Sequence, residues 1–291
     1  MHEEATVSGA SVLLAPLAKR YIAGTDRTAA ISAAKLLNEF KISTAIDNLG
    51  ENVKDAAEAE TSVSEYLELL SLIKTSGVDA NISLKLTHMG LDISEELARK
   101  NAGRIIEKAR ELGNFVRFDM EGSAYTQKTI DAYLILRGIY ENAGIAVQSA
   151  LKRSARDIDR FIHEKASVRL VKGAYKEGAD VAFQDKKDVD ISYEALMKQL
   201  LLKGHMPAIA THDERLINIA KEFAESAGVD KGSFEFEMLL GIKRNLQKQL
   251  AEEGYRVRVY CPYGVNWLPY TLRRLTERKE NFYFVLKNIF D

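Results

Sequence analysis

The sequence predicts an α/β fold and, within that class, a (β/α)8 TIM barrel with an N-terminal helical arm and an atypical final helix. Eight short runs of β-branched or aromatic residues alternate with longer segments of helical period almost to the C-terminus. Helical crossovers make neighbouring strands parallel, and eight such units are the number that closes a barrel. A length of 291 residues with 46% hydrophobic residues suits one large core. A doubly wound open sheet with an extra helical layer is the alternative.

Each predicted strand is a short apolar run bounded by polar or turn residues. The predicted strands are Ser43 to Asn48, Asn81 to Thr87, Phe115 to Met120, Ile145 to Leu151, Ser167 to Lys172, Pro207 to His212, Phe234 to Leu239 and Arg256 to Cys261. The segments between them repeat apolar residues at spacings of three and four, which is typical of helices. The predicted crossover helices are Val63 to Lys74, Glu95 to Leu112, Thr126 to Asn142, Ala155 to Lys165, Ser192 to Lys203, Glu214 to Ala227 and Ile242 to Glu253.

Both ends of the chain depart from this repeat. Residues 1–42 are predicted to form the helical arm, with helices over Ala18 to Ala23 and Arg27 to Phe40, and residues 43–291 to form the barrel. A short final helix is predicted from Leu268 to about Glu277, after the last strand. No linker rich in Pro, Gly or Ser interrupts the chain, so we expect one domain.

Composition excludes several classes of protein. The 41 Lys and Arg against 42 Asp and Glu give a net charge of −1, which argues against a basic nucleic-acid binder. The single cysteine, Cys261, allows no internal disulfide and makes a reducing compartment the default. Glu3 and Glu4 stand where a signal peptide carries basic residues, and no window has the roughly 18 unbroken apolar residues of a membrane span. Any membrane contact is therefore expected to be peripheral.

A parallel barrel builds its active site at the C-terminal ends of the strands and in the loops that follow them. The polar residues predicted at those ends are Asn48, Glu51, Lys85, Thr87, Asp119, Glu121, Gln148, Arg169, Lys172, Thr211, His212, Asp213, Glu235, Glu237 and Tyr260. An interior charge has to be paired or bound to a ligand, because burying it alone costs several kcal/mol. So many charges indicate a functional rim.

The segment from Val168 to Tyr175 is the most informative strand end. Strand alternation puts Arg169 and Val171 on one face, and Gly173 lets a ligand approach the backbone closely. Two interpretations stay open for Arg169: contact with a ligand, or an ion pair with a barrel carboxylate such as Asp119.

Two adjacent arginines form a second cluster on the final helix. Arg273 and Arg274 flank one groove there, with Glu277 at helical spacing from both. Guanidinium groups bind carboxylates or phosphates in a bidentate manner, so the pair suits an anionic ligand. A solvated helix face with an ordinary ion pair is the alternative, and the nearby Trp267 and Tyr270 argue against it.

Several chemistries lack their motifs. His212 and Asp213 have no second histidine at ligand spacing, so no metal site is expected, and His212 is predicted to form a hydrogen bond or a cofactor contact. The chain carries no G-x-S-x-G elbow, no P-loop and no G-x-G-x-x-G.

Motifs in barrel order carry a family resemblance. They are Ser83 to Thr87, Phe118 to Glu121, Val147 to Gln148, Arg169 to Tyr175, Ala210 to His212, Phe234 to Phe236, Tyr260 to Gly264, and Tyr270 to Glu277. Together they resemble the flavin-dependent proline dehydrogenase family, in its single-function bacterial form, from about Leu17 to the C-terminal tail. Their shared order argues against coincidence.

The resemblance implies a distorted (β/α)8 barrel that binds FAD without a covalent bond. It implies oxidation of L-proline to Δ1-pyrroline-5-carboxylate by hydride transfer to flavin N5, the first step of proline catabolism to glutamate. A membrane quinone is the implied electron acceptor, and a separate pyrroline-5-carboxylate dehydrogenase is an implied partner. The implied location is the bacterial cytoplasm, at the inner face of the membrane, with no nucleic-acid partner.

The resemblance also assigns residues. Lys85, Arg273 and Arg274 are implied to hold the substrate carboxylate. The implied walls around the substrate ring are Leu170, Tyr175, Tyr260 and Tyr270. Arg169 resembles the arginine near flavin N5, and Asp119 the active-site carboxylate that holds Lys85 or an arginine. The implied cofactor contacts are Met120, Gln148, Arg169, Lys172, Gly173, Ala174, Thr211 and His212. Glu51 resembles a gate residue that pairs with the first of the two arginines.

One position departs from the family pattern. Glu237 stands where the family often has glutamine, so a hydrogen bond there is expected to be replaced or lost. Three alternative functions stay open: a hydroxyproline dehydrogenase, a Schiff-base aldolase acting through Lys85 or Lys172, and a non-catalytic carboxylate-binding protein.

Overall fold

A computed structural model of the chain describes the backbone of residues 20–276 and the side chains of residues 20–272. Eight parallel strands close into a barrel in chain order, with β1 paired to both β2 and β8. The strands are β1 (Ser43–Asn48), β2 (Ala80–Leu84), β3 (Val116–Phe118), β4 (Ala143–Gln148), β5 (Ser167–Val171), β6 (Ala208–Ala210), β7 (Glu235–Leu239) and β8 (Arg256–Tyr263). The predicted (β/α)8 barrel is confirmed, because an open sheet has no pairing between its first and last strands.

Helices alternate with the strands and cover the outside of the barrel. In the described part of the chain they are α1 (Arg27–Asn38), α2 (Ala56–Ser76), α3 (Glu95–Glu111), α4 (Ser123–Arg137), α5 (Ser154–His163), α6 (Lys186–Lys203), α7 (Glu214–Ser226), α8 (Arg244–Glu252) and α9 (Trp267–Thr276). α6 begins six residues before its predicted start at Ser192. Its first turn is mostly charged and lacks the apolar spacing of three and four residues from which the helix was predicted.

Aspartate side chains fix the starts of several helices that follow strand ends. Asp55 accepts hydrogen bonds from the backbone N–H groups of Ala57 and Glu58, and Asp213 accepts one from Arg215. Such N-caps each contribute about 1 kcal/mol and hold the first helical turn in place. The loops at the C-terminal end of the barrel are therefore anchored to their helices.

The barrel has a dry outer core and a charged lumen. Ile46, Ile82 and Phe118 are fully buried between the strands and the helices. Neighbouring strand positions point the other way, into the lumen, and carry ionisable groups. The buried Asp, Glu, Lys and Arg side chains on the strands or directly after them are Asp47, Lys85, Arg117, Arg169, Glu235, Glu237 and Arg258.

A second apolar cluster, which we call the mouth cluster, comprises Tyr21, Ile22, Leu49, Ile242 and Tyr270. It brings the segment before α1 together with the loop after β1 and with α9. This cluster places α9 over the C-terminal end of the barrel.

The helix predicted over Ala18 to Ala23 is wrong for its described part. Residues 20 and 21 form a turn and the next three are not helical. The Ala23 N–H donates to the Pro262 carbonyl oxygen at 2.8 Å, and the Gly264 N–H donates to Gly24 at 3.0 Å. Ala23 and Gly24 therefore form their backbone hydrogen bonds with the end of β8 rather than within a helix. The division of the chain at residue 42 stays a prediction.

Among the described helices, none has both the length and the apolar content that a membrane crossing requires.

Candidate active site

Asp119, which directly follows β3, is the carboxylate on which the site converges. Its Oδ1 accepts a hydrogen bond from Arg169 Nη1 on β5 at 2.7 Å. Its Oδ2 accepts one from the Tyr260 hydroxyl on β8 at 2.7 Å and lies 3.6 Å from Lys85 Nζ, after β2. One carboxylate therefore links the ends of four strands.

Lys85 is a buried cation held by two carboxylates. Its Nζ donates to Asp47 Oδ2 on β1 at 2.7 Å and to the Tyr260 hydroxyl at 3.4 Å. Burial acts to lower the pKa of Lys85, but the charges of Asp47 and Asp119 outweigh it and hold the pKa above its usual range. An amine kept charged is a poor nucleophile, which weighs against a Schiff-base aldolase acting through Lys85.

Arg169 is held at all three guanidinium nitrogens. Besides Asp119 at Nη1, Nη2 donates to Ser83 Oγ at 3.1 Å and Nε forms an ion pair with Glu237. Its guanidinium carbon lies 5.4 Å from the centre of the Tyr260 ring. Burial alone would lower the pKa of Arg169, but Glu237 and Asp119 raise it above its usual range. Arg169 is therefore a permanent cation with a fixed orientation.

Glu121 joins the loops that follow β2, β3 and β4. Its buried carboxylate accepts hydrogen bonds from the Thr87 hydroxyl and from the Thr87 N–H at 3.2 Å. Its backbone oxygen accepts one from Gln148 Nε2 at 2.9 Å. Burial raises the pKa of Glu121 to about 7.

The ends of β5 and β6 form an accessible edge that carries an ammonium group between two aspartates. Lys172 Nζ donates to Asp190 at 2.6 Å and to Asp213 at 3.1 Å, and it is only partly buried. Gly173 has a φ of +117°, and a Cβ there would lie 3.1 Å from Gln148 Oε1. Only glycine fits this position without strain, and Gly173 and the following Ala174 are exposed.

His212 is held through its ring. Its Nε2 accepts a hydrogen bond from the Leu239 N–H at 2.8 Å, which leaves Nδ1 to carry the ring proton. The preceding Thr211 accepts a hydrogen bond from the Asp213 N–H at 3.1 Å. Both residues are thereby fixed at the end of β6.

The loop after β1 carries the predicted gate residue, Glu51, next to a buried histidine. A Cβ at Gly50 would overlap the imidazole of His88, so the backbone before Glu51 lies against that ring. Burial lowers the pKa of His88 to about 4, so the ring is neutral at physiological pH.

Other predicted residues differ in placement. Met120 is buried. Tyr175 lies near enough to Lys85 for the two side chains to interact electrostatically. Leu170 is fully buried in the outer core, on the face of β5 opposite Arg169, because successive strand residues point to opposite faces. The role of Leu170 as a wall of the substrate ring stays a prediction.

Arg273 and Arg274 fall on α9, one turn after Tyr270, but their side chains lie outside the described residues, as does Glu277. The sequence did not predict the role of Asp47 or the pairing of Glu237 with Arg169. The available signal for Asp47 was its alternation with Ala45, which puts a carboxylate on the inner face of a strand near its C-terminal end.

Comparisons with known proteins agree on one family. The family described as proline dehydrogenase matches residues 30–287. Proline dehydrogenase 1 of Bacillus subtilis is 40% identical over 272 residues, which cover 94% of this chain and 90% of that protein. The proline dehydrogenase of Deinococcus radiodurans is 40% identical over 278 residues, with the same coverage of 94% and 90%.

A solved structure supports the same placement. Proline utilization A (PutA) from Bdellovibrio bacteriovorus, inactivated by N-propargylglycine, matches with a TM-score of 0.85 and 26% identity. The match covers 91% of this chain and 33% of that one, so this chain corresponds to about a third of PutA.

We predict that Asp47→Asn destabilises the protein by about 3–5 kcal/mol, because it leaves the buried Lys85 cation without its nearest carboxylate. Urea unfolding measures the loss. Glu60→Gln is the control, since it breaks the exposed pair with Arg104, and such pairs contribute about 1 kcal/mol or less. Equal losses for both variants would contradict a special role for the buried pair.

We predict that Glu121→Gln becomes relatively more stable as the pH rises. Because the pKa of Glu121 is higher in the folded protein than in the unfolded chain, protonation of Glu121 stabilises the folded parent. This stabilisation is complete below about pH 4.5 and is lost as the pH rises through about 7. The variant does not titrate there, so its free energy of unfolding should gain about 2–3 kcal/mol on the parent between about pH 5 and about pH 8.

Urea unfolding at both pH values tests this. The hydrogen bond to Arg104 lowers the pKa of Glu60, so Glu60 titrates below about pH 4.5 in both the folded and the unfolded state. The difference between Glu60→Gln and the parent should therefore stay nearly constant between the two pH values, and this variant serves as control. A difference between Glu121→Gln and the parent that does not change with pH would show that Glu121 titrates near its ordinary value.

Proposed function

This chain belongs to the proline dehydrogenase family, and from that premise we propose that it oxidises L-proline to Δ1-pyrroline-5-carboxylate with FAD as its cofactor. The observation that carries the proposal is the pair of buried cations, Lys85 and Arg169, held on either side of Asp119. One fixed cation suits the carboxylate of an amino acid, and the other suits a ring system that gains electrons.

The residues at the ends of β4, β5 and β6 fit a flavin. They offer an amide in Gln148, an ammonium in Lys172 and an accessible glycine backbone at Gly173, which together suit the hydrogen-bonding edge of an isoalloxazine. The residues proposed to hold FAD are Met120, Gln148, Arg169, Lys172, Gly173, Ala174, Thr211 and His212. When bound, FAD supplies the acceptor for the hydride that leaves the ring carbon beside the proline nitrogen.

Lys85 supplies the described part of the carboxylate site. Its ammonium is fixed by Asp47 and Asp119, so it binds a substrate carboxylate without first losing conformational freedom. Arg273 and Arg274, assigned by the resemblance, are proposed to complete this site. Glu51 is proposed to close it by pairing with Arg273.

Tyr260 is proposed as a wall of the substrate ring. Its hydroxyl donates to Asp119 while its ring lies against Arg169, so both ends of the side chain are fixed. A rigid aromatic face gives shape selection at low entropic cost. Tyr270, in the mouth cluster, and Tyr175, near Lys85, are proposed as further walls.

The electron acceptor and partners are proposals from the family alone. Electrons are proposed to pass to a membrane quinone, and a separate pyrroline-5-carboxylate dehydrogenase to consume the product. The proposed location is the bacterial cytoplasm, at the inner face of the membrane.

We predict that the purified protein is yellow and that L-proline bleaches its oxidised-flavin spectrum under anaerobic conditions. Absorbance spectroscopy before and after addition of proline measures both properties. N-propargylglycine, with which the Bdellovibrio bacteriovorus PutA was inactivated, should also inactivate this protein, and proline should protect it. A colourless protein that FAD does not reconstitute would exclude the proposed oxidation.

We predict that Arg274→Ala and Arg169→Ala have different effects although both remove the same side chain. Arg274→Ala should raise KM by the equivalent of about 2–5 kcal/mol while FAD is retained, because the substrate carboxylate loses a partner. Arg169→Ala should lower kcat and the flavin reduction potential, because it removes a cation whose effect grows as negative charge accumulates.

Stopped-flow reduction at saturating proline and a redox titration separate the two effects. Unchanged flavin reduction in Arg169→Ala, or unchanged proline affinity in Arg274→Ala, would contradict these role assignments even within the family.

A further inference from the structure

Glu237 is a buried carboxylate to which the proposed reaction assigns no catalytic or binding role. It lies on β7, is 2% exposed and forms an ion pair through Oε2 with Arg169 Nε. It is placed on the guanidinium edge that Asp119 leaves open. A carboxylate so thoroughly removed from water is costly unless the cation beside it compensates, so its charge and that of Arg169 belong together.

The two carboxylates on Arg169 differ in what else they hold. Asp119 is shared among Arg169, Tyr260 and Lys85. The ion pair of Glu237 goes to Arg169, and the charges of Glu235, Arg117 and Arg258 also act on it within the lumen. Glu237 therefore acts on the site through Arg169.

The charges of Arg169, Asp119 and Glu237 sum to one net negative charge. A guanidinium without Glu237 would present more positive potential to a neighbouring group that gains electrons. A strong unopposed cation would favour the reduced state and slow the transfer of electrons to the next acceptor.

We propose that Glu237 is a positioning residue that fixes the guanidinium of Arg169 and offsets its charge, which keeps the reduction potential of the bound flavin low. This inference rests on the proposed function, which puts Arg169 next to the flavin. The offset favours reoxidation of the flavin by the electron acceptor, whereas Arg169 by itself favours its reduction by substrate.

Two variants separate charge from shape. Glu237→Gln keeps the size of the side chain and an oxygen beside Arg169 Nε, but removes the charge. Glu237→Asp keeps the charge and shortens the side chain. An effect of charge moves the potential in Glu237→Gln and spares Glu237→Asp, whereas an effect of shape gives the opposite order.

Glu235 supplies the matched control. It lies two residues earlier on the same strand, is 7% exposed, and accepts from Arg258 Nε at 3.0 and 3.1 Å rather than from Arg169. Glu235→Gln therefore removes a carboxylate from the same strand without removing a partner of Arg169.

The test is a spectroelectrochemical titration of the flavin-loaded parent and the three variants. We expect Glu237→Gln to shift the equilibrium toward reduced flavin by about tenfold or more, which is about 30 mV more positive for a two-electron couple. Glu237→Asp and Glu235→Gln should stay within about threefold of the parent. Stopped-flow reoxidation by a soluble quinone should be slower in Glu237→Gln.

A Glu237→Gln potential within about threefold of the parent overturns the inference, and so does an equal shift in Glu235→Gln. If Glu237→Gln does not retain flavin, the reduction potential of Glu237→Asp is the deciding measurement. A changed potential in Glu237→Asp, which keeps the charge, contradicts an effect of charge. Arg169→Ala separates this inference from its premise. A lowered potential in Arg169→Ala beside an unchanged Glu237→Gln removes the inference alone. An unchanged Arg169→Ala removes the role of Arg169 on which the inference rests, and a parent without flavin removes the proposed function as well.

Discussion

The compensation of buried charge inside the barrel is the constraint on which the rest of the structure depends. Four cations, Lys85, Arg117, Arg169 and Arg258, share the described lumen and its rim with four carboxylates, those of Asp47, Asp119, Glu235 and Glu237. Each cation taken from water alone would cost several kcal/mol, so strands that meet around the barrel have to supply opposite charges. Burial and repulsion from Arg169 lower the pKa of Arg117 to about 10, while Glu237 and Glu235 act in the opposite direction.

This network divides the mouth of the barrel into two halves that share one residue. On one side, Lys85 is held between Asp47 and Asp119; on the other, Arg169 is held between Asp119 and Glu237. Asp119 therefore couples the proposed carboxylate site to the proposed flavin site, and a change in one cation alters the electrostatic environment of the other. The anchored helix starts and the mouth cluster keep the strand ends in register around this shared carboxylate.

Local pattern was enough to predict the barrel, because strand and helix periods are properties of neighbouring residues. It was weaker at the edges: β4 begins at Ala143 rather than Ile145, since Ala143 and Gly144 have little strand preference of their own and owe their place to pairing with β3. Alternation also indicated that Arg169 faces inward. It did not identify the partners, because they are distant in sequence: Asp47 and Lys85 come from neighbouring strands, whereas Asp119 and Tyr260 meet across the lumen. The resemblance placed Leu170 by motif, and strand geometry puts its side chain on the face opposite Arg169.

Apolar side chains would fill the lumen with a smaller desolvation penalty than these charges do. The charged lumen therefore needs an explanation other than stability. Replacing buried ion pairs by well-packed hydrophobic residues is often neutral or stabilising, so these pairs are weak as a source of stability. Their value lies in orientation: Arg169 is fixed at three nitrogens and Tyr260 at both ends. Dipoles and charges that are already oriented need no reorganisation when charge moves during a reaction, and that is the condition under which electrostatic stabilisation is most effective. Burying these charges costs free energy, but it also fixes their positions. The fixed charges produce a rigid electrostatic field at the mouth of the barrel.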